Sequence, residues 1–192
     1  MQYTHPSMAL RPSSSDHTAD KHSPWIIALH WSSVIAILIA TSTFFLREIV
    51  ETSSIRNVLL DLHRQSGLFV MVALALRISI RIKVGMTDHA EDMHWMMRFT
   101  AKSAHGVLYL ILAALPVLGW AATNAHAVPV KLFGIIPLPN IAPADSDLAD
   151  TLTDYHLWAA WALLAVVISH IGAALWHHFH RKDKVLKAML PG

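Results

Sequence analysis

Four long apolar runs divide an otherwise polar chain. The first, WIIALHWSSVIAILIATSTFFL, covers residues 25–46; the others cover about 59–82, 104–122 and 155–179. Each has the roughly 17–25 residues that a helix needs to cross ~30 Å of hydrocarbon. None shows the two-residue alternation of a barrel strand, so the pattern predicts transmembrane helices. Pro116 falls inside the third run and predicts a kink there. Residues 1–22 are polar and lack the apolar core and small-residue cleavage site of a signal peptide. They are predicted to form a disordered tail ahead of one membrane domain over residues 23–192. Between the third and fourth runs, VPVKLFGIIPLPNIAP (128–143) is apolar but too rich in proline to span. It is expected to lie against the membrane surface or cap the bundle. The acidic stretch that follows, with Asp145, Asp147, Asp150 and Asp154, is expected to be a solvated part of the same loop.

Composition sharpens this picture. Of 192 residues, 54% are hydrophobic and 15% charged, against roughly 25% charged in soluble domains. Basic residues cluster beside the apolar runs, so the pI near 9.1 gives no argument for nucleic-acid binding. Orientation follows from Lys and Arg. Arg11, Lys21, Arg77, Arg81, Lys83, Arg98, Lys102, Arg181, Lys182, Lys184 and Lys187 fall on one side, and Arg47, Arg56, Arg64 and Lys131 on the other. The positive-inside rule then predicts a multi-pass membrane protein with both termini cytoplasmic. The absence of cysteine excludes disulfides, cysteine-held iron–sulfur clusters and haem attachment through a Cys-x-x-Cys-His motif.

Histidine is the unusual residue: there are 14, and seven fall within the runs, of which His177 and His178, with His180 just beyond, read as a solvated helix end. His30 and His105 are near the cytoplasmic side, and His63 and His156 near the external side. His170 follows His156 by fourteen residues, about 21 Å of helix and nearly four turns, so the two share one helix face. An ionisable side chain within a span is functional by default, because unpaired polar groups in lipid are expensive. Two imidazoles on facing helices at one depth are what a b-type haem needs. Matching depth pairs His63 with His156, and His170 with His30 or His105; His30 lies deeper and is preferred. Gly67, Ala160 and Ala174, one turn from His63, His156 and His170, leave room for a flat macrocycle. Arg64 is a candidate propionate partner at the external site, and Arg77, Arg81 and Lys102 at the internal one. His105 is assigned as a polar neighbour of the haem or quinone.

These segments resemble the prokaryotic cytochrome b561 family, di-haem four-helix membrane proteins. The resemblance rests on IALHW (27–31), LHRQSGLFVMVALALRISIRIK (62–83), AHGVLYLILAALPVLGW (104–120) and YHLWAAWALLAVVISHIGAALWHHF (155–179). It implies His30 with His170 on one haem and His63 with His156 on the other, in agreement with depth. It also implies ubiquinone as an electron partner and makes superoxide a candidate donor at the external, periplasmic face. Lys102 stands where the family can carry a second histidine one turn before His105. The expected function is transmembrane electron transfer through two bis-histidine haems b, with superoxide:quinone oxidoreduction as a candidate activity. A membrane-anchor subunit relaying electrons between a periplasmic dehydrogenase or hydrogenase and quinone is the first alternative. A proton or metal transporter is the second; it calls for carboxylates well inside the spans, and the runs hold none there.

Overall fold

The computed structural model describes residues 23–84, 95–183 and 186–190. The tail of residues 1–22 and the connection of residues 85–94 lie outside the described residues. Four helices are long and apolar enough to cross a membrane: α1 (Pro24–Ile49), α2 (Ser53–Val84), α3 (Trp95–Ala125) and α4 (Ser146–Trp176). The fold is the all-α membrane bundle that the apolar runs predict. Pro116 is buried within an unbroken α3. A two-stranded antiparallel hairpin, β1 (Lys131–Leu132) and β2 (Ile136–Pro137), occupies the connection from α3 to α4. At its other end α4 passes into a π-helical turn, His177–Arg181.

Every helix is longer than the run that predicts it. Hydropathy registers where lipid stops, whereas a helix continues into water as long as its backbone and caps allow. The clearest case is α4. The acidic stretch expected to be loop is its first turns: Asp145 is the N-cap, its Oδ1 accepting from the Leu148 N–H at 2.9 Å. Asp147 follows in the first turn, where a carboxylate meets the positive end of the helix dipole. Asp145→Ala should therefore lower stability by about 1 kcal/mol, read as a lower Tm with the visible spectrum intact. An unchanged Tm would dismiss the cap.

Packing is pairwise. α1 lies along α2 after a connection of residues 50–52, α3 lies along α4, and α2 touches α3. The pairs meet over a buried layer of Ala36, Val70, Leu74, Leu108, Leu112, Leu115 and Leu163. On every helix this layer falls between the positions that carry polar chemistry, so it separates the two ends of the bundle. Large apolar side chains such as Ile35, Leu38, Leu110 and Ile168 point outward. Hydrocarbon is as apolar as they are, so this exposure is expected in a bilayer.

Candidate functional site

At the hairpin end, two histidines are fixed by backbone carbonyls of neighbouring helices. His63 on α2 donates its Nδ1–H to Ala40 O of α1 at 2.9 Å. His156 on α4 donates its Nδ1–H to Leu115 O of α3 at 3.0 Å. A carbonyl can only accept, so both Nδ1 atoms carry the proton and both Nε2 atoms keep a free lone pair. Each bond ties one helical pair together, and the two imidazoles then face each other across the gap between the pairs. Their centroids are 5.9 Å apart. Two imidazoles sharing one metal ion at ~2 Å per bond have centroids roughly 6 Å apart.

The surrounding cavity, about 400 Å³, is lined by both histidines and by Thr43, Arg47, Arg64, Gly67, Gly119 and His126, among others. That volume lies within the ~300–1,000 Å³ of ordinary cofactor and ligand sites. Two glycines shape it. At Gly67, one turn beyond His63, a Cβ would meet nothing within 4 Å, so the helix borders open space. At Gly119 a Cβ would sit 3.1 Å from Cε1 of His156, so only glycine lets the ring lie against α3. Arg64 is partly tied to Asp61 at 3.3 Å. Arg47, Gly119 and His126 extend the site beyond the residues that spacing and depth select.

The opposite end gathers three histidines. The rings of His105 (α3) and His170 (α4) are 5.6 Å apart and nearly perpendicular, at 82°. The His105 Nδ1–H donates to Ala101 O of its own helix at 2.8 Å, which leaves its Nε2 free as well. His30 on α1 lies within electrostatic reach of Arg77, His170, His105 and Arg81. Sequence depth placed His30 and His105 at one end; the structure brings His105 into ring contact with His170.

Arg77 is the most informative cation there. It is 6% exposed, and its Nε has no partner. Its guanidinium lies 5.9 Å from the centre of the Tyr109 ring, and Arg81 donates to the Tyr109 hydroxyl at 2.7 Å. Among the described residues no carboxylate pairs with Arg77. A buried cation in lipid is costly without an anion, and a haem propionate would supply one. Tyr109 was missed from sequence, where a lone tyrosine in an apolar run reads as packing. Lys102 is exposed on α3.

The His63–His156 pair thus offers two free Nε2 atoms on rings whose separation suits one shared metal, beside open backbone, and the other end holds an unbalanced buried arginine; these residues fit a b-type haem. No cluster of histidine, cysteine and carboxylate suited to a bare metal ion is present among the described residues.

Comparison with known proteins agrees. Residues 21–192 match the family model described as prokaryotic cytochrome b561. A probable superoxide oxidase, CybB, of Yersinia pestis is 32% identical over 171 residues, which cover 89% of this chain and 96% of that protein. Cytochrome b561 homolog 2 of Escherichia coli K12 is 32% identical over 133 residues, 68% of this chain and 69% of that one. Cytochrome b561 homolog 1 of the same organism is 28% identical over 169 residues, 86% of this chain and 94% of its own length. Taken with four membrane-spanning helices and paired intramembrane histidines, these matches show that the chain belongs to the prokaryotic cytochrome b561 family of haem-bearing membrane electron-transfer proteins.

Proposed function

We propose that this chain holds two haems b, one between His63 and His156 and one between His30 and His170, and moves electrons between the hairpin side of the membrane and ubiquinone. The observation that supports it best is the facing pair His63–His156, with both Nδ1 atoms committed to carbonyls and both Nε2 atoms free. Haem iron supplies reversible one-electron chemistry, and two imidazole ligands leave no open position for substrate on the metal.

The remaining work falls to the protein. The carbonyls of Ala40 and Leu115 fix the tautomer and aim of the ligands. Arg64 at one end, and Arg77 with Arg81 at the other, would neutralise the propionates. Lys102 and His105 border the second site. The apolar layer from Ala36 to Leu163 keeps water and ions out of the space between the levels.

In this reading the termini are cytoplasmic and the membrane is the bacterial inner membrane. Arg77, Arg81, Lys83, Lys102, Arg181 and Lys182 gather at the end opposite the hairpin, as the positive-inside rule requires. Superoxide is the proposed donor. Its support is the named relative in Yersinia pestis and the cations Arg47 and Arg64 lining the hairpin-end cavity, which favour an anion. The test is the purified chain with a superoxide source and a soluble ubiquinone analogue. Quinone reduction that is abolished by superoxide dismutase is expected. A haem-loaded protein that reduces no quinone under these conditions would remove superoxide as the donor.

A second reading of the ligands rests on one distance. The 5.6 Å contact of His105 with His170 makes His105 a rival to His30. His30→Ala is expected to lose the second haem, and His105→Ala to keep it with a shifted potential. The reverse pattern in a pyridine haemochrome assay would transfer the ligand role to His105.

A further inference from the structure

The hairpin in the connection from α3 to α4 has an apolar tip that nothing in the bundle covers. Phe133 is 51% exposed, Ile135 80% and Ile136 54%. The turn itself is strained. Phe133 has φ +52° and Gly134 φ +71°, and Ile135 N–H donates to Leu132 O at 3.2 Å, so Phe133 and Gly134 are the central residues of a turn with both φ positive. Asn or Gly fills the first of these positions without strain, whereas a bulky residue there is an outlier. An exposed phenylalanine held at a strained turn points to a use for its ring away from the bundle.

Depth says what that use is. The base of the hairpin is pinned to α2, where Gln65 Nε2–H donates to Lys131 O at 2.9 Å. Gln65 lies six residues inside the apolar run that starts near Leu59, about 9 Å along the helix. The connection therefore folds back from the end of α3 to the margin of the hydrocarbon. Its frame is rigid. Leu138 N–H donates to Val130 O at 2.9 Å. Asn124 donates to Val128 O at 3.2 Å and accepts from Ile141 N–H at 3.0 Å. Residues 128–143 carry one charge, Lys131, placed where a lysine can stretch its ammonium to water. The acidic turns of α4 stand further out.

We infer that Phe133, Ile135 and Ile136 form a lipid anchor, dipping into the interfacial region of the leaflet on the hairpin side and fixing the wall of the adjacent cavity, to which Val130 belongs, relative to the bilayer. The inference does not depend on haem ligation. The interfacial region suits a two-stranded hairpin, because its unpaired edges still reach water there.

The chain has no cysteine, so single-site labels are unambiguous. Ile135→Cys and, independently, Phe133→Cys are spin-labelled in the full chain and placed in nanodiscs of neutral phospholipid. Asp147→Cys on α4 is the aqueous reference. Collision with oxygen should dominate at 133 and 135, and collision with a water-soluble nickel complex at 147, with ratios differing several-fold. Nickel accessibility at 133 and 135 equal to that at 147 would place the tip in water and overturn the anchor. Shielding from both reagents would show the tip covered by a second copy of the chain and overturn it equally.

Discussion

Replacing His156 with alanine is expected to remove the haem at the hairpin end and leave the other in place, halving the pyridine haemochrome yield per chain. His63→Ala should do the same. The double variant should lose no more than either single one, because in the proposed pairing both residues hold the same haem and their effects are not additive. His170→Ala should remove the other haem. The fold is expected to survive each change. The interhelical bond lost with His63 or His156 is worth only about 0.6–2 kcal/mol in a membrane, and the apolar layer between the two levels is untouched. Loss of both haems from correctly folded His156→Ala protein would mean that the levels are not independent. Retention of both would remove His156 from ligation altogether.

The second large effect is expected at a residue with no side chain. Gly119→Ala should leave stability nearly unchanged while altering the spectrum of one haem. Alanine in a helix interior gains up to ~1 kcal/mol over glycine. The added methyl would stand 3.1 Å from Cε1 and 3.3 Å from Nδ1 of His156, so the ring must yield. Weakening its bond to Leu115 O would cost about 1 kcal/mol, so the two terms roughly cancel. The ligand orientation does not recover, because the carbonyl that sets it is no longer well met. Gly119→Leu should go further and lose that haem, with the second haem retained. Difference spectra and redox titration read the outcome. Identical spectra for wild type and Gly119→Leu would show that the ring has free space and that Gly119 is only a packing residue. Gly67→Ala is the matched control: its Cβ meets nothing within 4 Å, and the spectrum should stay the same.

Much of this molecule is legible in one dimension. Four apolar runs and the scarcity of charge within them predict the spans, because crossing hydrocarbon constrains composition directly. The fourteen-residue step from His156 to His170 predicts two levels on one helix face, because helical rise and period are local properties. The same step separates His63 from Arg77 and His105 from Gly119, so α2 and α3 also carry a chemically distinct residue near each level. Its meaning on those helices appears only once the helices are packed.

Other features were settled by packing. The acidic residues from Asp145 to Asp154 read as loop because hydropathy falls there, yet the Asp145 cap turns them into helix. Tyr109 carries no signal in a single sequence, and Gly119 stands out there only as the end of the family-like Leu-Pro-x-x-Gly of residues 115–119; their roles come from groups on other helices, the two arginines in one case and the His156 ring in the other. Depth preferred His30 over His105 as the partner of His170, whereas helix rotation sets His105 in ring contact with it. Sequence by itself thus determined the number of spans, the two polar levels and the residue types held there, since these depend on transfer from water to lipid and on the pitch of one helix. Tertiary structure alone decided which ring meets His170, which nitrogen His63 and His156 each offer and where the hairpin folds back. Those depend on carbonyls and backbones far away in the chain, whose positions are fixed when the helical pairs close.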